Sequence, residues 1–186
     1  MRGDRSPLIR EAASADMAAI AAIYSHHVLT GFGTFEEVPP TAEDLSGRVA
    51  AVRALGLPYL VAELNGEVAG FAYASAFRPR AAYRFTAEDT VYVRPDAVGH
   101  GLGRALLGAV IEGCEALGLR QLMAIVGDSG NAASIGLHRA MGFTQLGVGR
   151  NVGFKRGRWL DIVWMQKTLV TGGAAPRGEG LKLGGG

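Results

Sequence analysis

The sequence predicts a mixed α/β fold in a single domain, on three observations. Segments of strand character outnumber segments of helical character, and the two kinds are interleaved along the chain. Asn65-Gly66 stands between two apolar runs, a strong β-hairpin signal. A strand-like run from Phe85 to Val93 passes through Gly99-His100-Gly101-Leu102-Gly103 and continues with helical periodicity. At 186 residues with 48% hydrophobic side chains, the chain can bury one sizeable core but is short for two ordinary domains.

Taken in order, Pro7 to Ala12 suits a short first strand. Asp16 stands where an N-cap would, ahead of Met17, Ile20, Tyr24 and Val28 at helical spacing. Gly31, Gly33 and Pro39-Pro40 interrupt the pattern, and Thr41 with Asp44 reads as a capping pair for a second helix ending near Gly56. Tyr59 to Glu63 and Val68 to Ala76 form the predicted hairpin. The strand Phe85 to Val93 is ended by Pro95, which has no N–H for a ladder. The stripe Leu102, Leu106, Ala109, Val110, Cys114 and Leu117 then marks an amphipathic helix with Gly118 as its C-cap. Gln121 to Val126 is a nearly continuous apolar strand, Asn131 to Met141 a further helix stopped by Gly142, and Phe143 to Val152 and Trp159 to Gln166 two strands joined through Lys155-Arg156-Gly157-Arg158. From Thr171 onward seven of sixteen residues are glycine, too little apolar surface to offset ordering, so a flexible and dispensable tail is expected.

Charge narrows the class of partner. Lys plus Arg number 19 against 17 Asp plus Glu, too even a balance to hold a nucleic-acid backbone or an anionic membrane. A small molecule or another protein is expected instead. The single cysteine, Cys114, excludes an intrachain disulfide and a cysteine-based zinc cluster. It lies on the apolar helical stripe, where a buried, inert thiol is expected. None of the four histidines stands at a metal-ligand spacing, so no metal is expected; His27 reads as packing, His26 and His100 as exposed. Neither a signal-peptide pattern nor a membrane-length apolar run is present, and the expectation is a cytoplasmic protein.

The stretch Gly99 to Gly103 carries the first chemical signal. A strand running through alternate glycines into a helix offers unpaired backbone amides at the positive end of a helix dipole, a geometry suited to phosphate. Glycine there admits close approach of an anion and tolerates positive φ. A nucleotide P-loop is excluded because Gly103 is followed by Arg104-Ala105, not by Lys-Ser or Lys-Thr. A dinucleotide fingerprint would follow the first strand of the sheet, and this one sits mid-chain. On the glycines alone, a ligand-free turn stays open beside the anion site.

The motifs together are more specific. The run Thr90 to Leu107 resembles the coenzyme A loop of the GNAT acetyltransferases, with Gly101 and Gly103 at its two small positions, and Asn131 to Phe143 resembles a second motif of that family, an Asn opening a helix that ends in Gly-Phe. Thr34-Phe35-Glu36-Glu37, Phe77-Arg78-Pro79-Arg80, Thr86-Ala87-Glu88 and Gly153 to Asp161, together with His138, are similar to the phosphinothricin and methionine sulfoximine or sulfone N-acetyltransferase branch. The resemblance spans about residues 8 to 169, leaving residues 1–7 as an extension and 170–186 as the tail.

It implies a GNAT fold, a mostly antiparallel splayed sheet flanked by helices, that transfers acetyl from acetyl-CoA to the α-amino group of a small amino acid or analogue in a ternary complex. By the resemblance, the amides from Gly99 through His100, Gly101, Leu102 and Gly103 to Arg104 seat the diphosphate, and Val91, Tyr92, Val93 and Asn131 hold the pantetheine arm. Glu88 is the first candidate base for the amine, and His138 an acid for the departing thiolate or a second base. Arg78 and Arg80 offer guanidinium forks to an α-carboxylate. Ala81, Ala82, Phe35, Glu36, Asp89 and Thr90 complete the acceptor pocket. A homodimer is implied as well. Two departures stand out: Val98 replaces the usual Gln or Arg of the coenzyme A motif, and Arg156 and Leu160 replace histidines common in this branch. A different amine acceptor, or a non-catalytic acyl-CoA-binding sensor, is the alternative reading.

Overall fold

The computed structural model describes residues 7–170, 175–176 and 178–183. Seven strands form one mixed sheet: β1 (Leu8–Glu11), β2 (Tyr59–Leu64), β3 (Glu67–Ala76), β4 (Thr86–Val93), β5 (Gln121–Gly127), β6 (Thr144–Lys155) and β7 (Arg158–Thr168). Four helices accompany them: α1 (Met17–Thr30), α2 (Ala42–Ala54), α3 (Leu102–Ala116) and α4 (Ala132–Ala140). Each expected element is present, with ends displaced by a few residues.

Local chemistry explains most boundaries. Thr41 and Asp44 form a reciprocal capping box on α2, the Thr41 hydroxyl accepting from the Asp44 N–H at 3.1 Å and the Asp44 carboxylate from the Thr41 N–H at 2.9 Å. Asn65 and Gly66 adopt φ of 55° and 83°, the two left-handed positions a tight hairpin turn requires. Asp16 departs from expectation: its side chain caps no amide of α1. It lies buried instead, accepting from the Ala13 N–H and pairing with Arg10 at 2.7 Å. A carboxylate next to an arginine in a partly buried position is held more strongly by that charge than by a helix end.

The strand order is β1-β2-β3-β4-β5-β7-β6. Every neighbouring pair is antiparallel except β4 with β5. That parallel pair is short: Thr86, Ala87 and Glu88 lie opposite Gln121, Leu122 and Met123, and pairing then stops. Asp89 to Val93 stay bonded to β3, and Ala124 to Gly127 to β7, so a wedge opens in the middle of the sheet. Helix α3 packs on one face over β2, β3 and β4, and α1 with α2 covers the other. Its buried residues Leu102, Leu106, Leu107, Val110 and Cys114 each add about 1.5–3 kcal/mol of apolar burial at most.

The described part of the C-terminal segment packs on the domain. Leu181 is buried in the core cluster, its N–H donates to the Arg84 carbonyl at 2.8 Å, and Leu183 packs against the same cluster. A leucine pair is enough apolar surface to hold a glycine-rich segment down, which composition averaged over sixteen residues conceals. Residues 1–6, most of the expected extension, and 171–174, 177 and 184–186 of the expected tail lie outside the described residues. Among the described residues no helix is long and apolar enough to cross a membrane.

Candidate active site

The wedge between β4 and β5 is the site. Two hydrogen bonds give the orientation of β4: the Thr86 carbonyl accepts from the Phe77 N–H, and the Arg94 N–H donates to the Ala69 carbonyl at 2.8 Å. Even-numbered residues of β4 therefore turn their backbone groups toward β3, and odd-numbered ones toward the opening. Val91 presents both N–H and C=O there. Val93 presents its N–H, but its carbonyl accepts from His27 Nε2 at 2.9 Å. The backbone groups of Tyr92 face β3, so within the expected stretch Val91 to Val93 it is Val91 and the Val93 N–H that turn toward the opening.

Side chains alternate the other way. Glu88, Thr90 and Tyr92 project on the α1 face, where the Tyr92 ring meets Tyr24 and His27 at 5.0 Å between centroids. Asp89 projects on the opposite face, toward α4. The resulting cleft passes through the sheet and has a volume of about 450 Å³. Glu88, Asp89, Thr90, Val91 and Tyr92 from β4, Ala124 to Gly127 from β5, Gly31 to Thr34, and Asn131, Ser134 and His138 line it. A second cavity of about 180 Å³ adjoins Gly33, Phe35, Glu88, Ile125, Gly127 and Ile162. Glu88 lines both, at the last paired position before the strands part.

Burial pushes the Glu88 carboxyl up to about 7; the positive charge of Arg78 works against this and the Asp89 carboxylate adds to it. A carboxyl titrating near neutrality at the junction of two cavities is suited to exchange a proton with a bound amine.

Asp89 and His138 form a buried pair across the opposite face, Nε2 to Oδ2 at 2.9 Å, with side chains 2% and 4% exposed. His138 Nδ1 lies 2.8 Å from the Ser134 carbonyl, the i−4 acceptor of its own helix. Both ring nitrogens face acceptors, an arrangement that favours the doubly protonated ring. Burial opposes the imidazolium most strongly, but the Asp89 hydrogen bond and charge with the Ser134 carbonyl outweigh it, and the pKa of His138 is raised. The second Asp89 oxygen, Oδ1, is buried without a partner among the described residues.

Asn131 caps α4 by accepting from the Ser134 N–H at 3.1 Å and donates to the Gly127 carbonyl at 3.1 Å, tying α4 to the end of β5. One amide hydrogen and one lone pair remain for a ligand. Beyond Val93, the loop Gly99 to Arg104 lies outside the cleft lining. Gly99 and Gly101 have φ of 89° and 78°, and a Cβ on either would meet open space. Backbone conformation, rather than steric room, is what demands glycine there. Gly103 differs: its Cβ would sit 3.3 Å from Leu137, so glycine allows α3 to approach α4. Among the groups at the start of α3, the first partnered helix amide is that of Ala105, bonded to the Gly101 carbonyl.

Several predicted acceptor residues stand apart. Glu36 lines neither cavity; it accepts from the Tyr24 hydroxyl at 2.9 Å and from both Arg48 guanidinium nitrogens at 2.7 and 3.0 Å, which lower its pKa. A carboxylate with three donors is a clasp for its own loop. Ala81 and Ala82 form an exposed turn, and Arg80 is exposed outside both cavities. Arg78 is likewise exposed and lines neither cavity; it lies over the Phe77 ring at 4.5 Å, and its charge acts on Glu88. Ile125, Gly127, Ile162, Ser134 and His27 were not expected in the site. Ile125 and Gly127 lie in the part of β5 beyond the parallel pairing, which no local pattern marks, Ile162 enters opposite Gly127, and the apolar helical spacing of His27 gives no sign of its bond to Val93. Cys114 is buried, as expected, and burial pushes its thiol up to about 12.

Known proteins share this arrangement. Residues 9–164 match the acetyltransferase (GNAT) domain. A phosphinothricin N-acetyltransferase of Alcaligenes faecalis is 58% identical over 84% of this chain and 80% of its own length. An L-methionine sulfoximine/L-methionine sulfone acetyltransferase of Pseudomonas aeruginosa is 45% identical over 92% and 99%. A GNAT superfamily phosphinothricin acetyltransferase from Sinorhizobium meliloti, solved in complex with AcCoA, superposes with a TM-score of 0.89 at 44% identity, covering 95% of each chain. The domain match, which takes in both arms of the wedge and Glu88 between them, shows that the chain belongs to the GNAT acetyltransferase family.

Proposed function

We propose that this protein acetylates the α-amino group of a small amino acid or analogue, with phosphinothricin, methionine sulfoximine and methionine sulfone as the leading acceptors. The observation that carries the reading is Glu88, a half-buried carboxyl raised to about 7, set where the larger cleft meets the smaller cavity. The names of the relatives support the acceptor class.

The larger cleft suits acetyl-CoA, which when bound supplies an activated acyl carbonyl. Val91 and the Val93 N–H offer strand-like partners for a peptide-like arm, and Asn131 keeps one donor in reserve. The open amides before Ala105, at the positive end of α3, suit the diphosphate. Val98, 67% exposed, contributes no charge to that seat.

The amine must lose a proton, since an α-amino group with reference pKa of about 8 is mostly protonated near neutrality. Glu88 takes it, in the cavity that Phe35, Ile125 and Ile162 line with apolar surface. Holding the amine beside the acyl carbonyl where the two cavities meet at Glu88 converts a bimolecular encounter into a positioned one. Arg78 serves the acceptor carboxylate and tempers the Glu88 shift. His138, whose two ring nitrogens face Asp89 and the Ser134 carbonyl, holds Asp89 and α4 against β4.

We also propose a homodimer. Leu146, Val148, Val152, Phe154 and Trp159 expose an apolar strip on the β6–β7 hairpin, with the Phe154 and Trp159 rings 5.2 Å apart.

Free-thiol release from acetyl-CoA tests the acceptor assignment, with phosphinothricin, methionine sulfoximine, methionine sulfone, ordinary amino acids, an aminoglycoside and a lysine peptide offered in turn. Turnover of the first three well above that of the ordinary amino acids, and none of the aminoglycoside or the peptide, is expected. Turnover of the aminoglycoside or the peptide alone would remove the assignment.

A further inference from the structure

We propose that Gly153 is a specificity-determining position: with Gly127 it forms the slot that seats the Phe35 ring, and the ring in turn sets the depth of the smaller cavity. The inference rests on the reading of that cavity as the acceptor pocket.

Phe35 is the one aromatic wall of the cavity that holds Glu88, Ile125 and Ile162. Its ring lies directly over the backbone of two other elements. A Cβ on Gly153 of β6 would stand 2.6 Å from Phe35 Cδ2 and 3.0 Å from Cζ, and would overlap Cε2. A Cβ on Gly127, at the end of β5, would stand 2.9 Å from Phe35 Cε1 and 2.9 Å from the Phe32 carbonyl oxygen. Carbon atoms pack at about 3.5–4.0 Å, so the ring occupies the room that two missing side chains leave.

The chain on both sides of Phe35 is tied down. The buried Lys155 ammonium donates to the Thr34 carbonyl at 2.8 Å, and Thr34 Oγ1 lies 2.9 Å from the Tyr24 hydroxyl and accepts from the Glu36 N–H at 3.2 Å. Glu36 is in turn forked by Arg48. A methyl group added at 153 is therefore met by rotation of the ring rather than by movement of the loop. Gly153 is not at positive φ, so alanine is compatible with its backbone. Gly127 is a poorer probe, because its substituent would also meet the Phe32 backbone.

Displacement of the ring from β6 carries it toward Glu88 and Ile125 and makes the cavity shallower. Acceptors with long side chains then lose more than short ones, and acetyl-CoA, held in the other cleft, is unaffected. One methylene in a pocket discriminates by roughly 10–200-fold.

The test is kcat/KM of wild type, Gly153→Ala, Phe35→Leu and the double variant for methionine sulfone and for alanine, with KM for acetyl-CoA measured alongside. Gly153→Ala is expected to lower the methionine sulfone to alanine ratio at least tenfold with KM for acetyl-CoA unchanged, and Phe35→Leu in the same chain to abolish that effect, because the smaller side chain leaves room for the added methyl. An unchanged ratio in Gly153→Ala, or the same loss with and without Phe35, overturns the slot. Phe35→Leu alone is expected to shift the ratio the opposite way, and equal ratios there overturn the role of the ring. If wild type turns over neither acceptor, the acceptor-pocket reading itself has failed; an active, selective wild type with an indifferent Gly153→Ala defeats only the slot.

Discussion

Glu88 concentrates the chemistry in one residue. A base of pKa about 7 is half ionised at neutrality, so kcat/KM for the acceptor is expected to rise with pH through about 7 and to fall tenfold per unit well below it. Glu88→Gln is expected to lose about 10²–10⁴-fold in kcat with KM for acetyl-CoA unchanged; an intact rate would remove Glu88 as the base. Its stability effect has the opposite sign. Because burial raises the folded-state pKa above the ordinary value of 4.5, the folded protein binds more protons between about pH 4.5 and 7, and stability falls as pH rises across that window. Glu88→Gln is therefore expected to melt higher than wild type at pH 8, an exchange of stability for activity at a working site. His138 behaves differently. Its raised pKa adds stability that is complete below the ordinary histidine value of 6.5 and lost as pH rises through the folded value. His138→Ala leaves Asp89 buried and unpaired, which costs about 3–5 kcal/mol. Urea denaturation of the variant with a midpoint equal to wild type would show the pair to be idle.

At the scale of elements, the function depends on two strands parting after three paired positions. Neither strand carries a breaker at that point. Each has another partner, β3 for one and β7 for the other, and those ladders persist to Val93 and Gly127 while the shared ladder ends. The loop ahead of α3 is tuned by backbone sign instead. Gly101→Ala forces a side chain into a left-handed position at a cost of roughly 1–2 kcal/mol, and the loop relaxes away from the amides it presents. KM for acetyl-CoA is expected to rise severalfold with kcat at saturation little changed. An unchanged KM would mean that the amides beside Gly101 do not hold the diphosphate.

At the scale of the whole molecule, the proposed homodimer rests on the exposed strip on β6 and β7. Trp159 of β7 is 62% exposed, and Phe154, 58% exposed, lies on the long edge strand β6, whose free ladder groups invite pairing. Sedimentation is expected to give twice the 19.4 kDa chain mass for wild type and a single-chain mass for Trp159→Glu. A monomeric wild type would set the dimer aside.

Much of this was written in local sequence. Period-2 and period-3.6 patterns, Thr41 with Asp44, and Asn65-Gly66 are short-range signals, and they placed the elements to within a few residues. The motifs around Glu88 and Asn131 likewise named residues that line one cleft. What the tertiary structure decided is which contacts those residues use. The Asp89 to His138 pair joins positions 49 apart, Lys155 reaches Thr34 across 121, and Phe35 rests on glycines from two other strands. Leu181 finds the core from a segment whose composition argues for disorder. Side-chain type and spacing determine what an element is, because those interactions lie within a few residues; the pocket wall, the paired histidine and the anchored tail depend on which distant residue arrives alongside, and only the packed sheet and helices specify that.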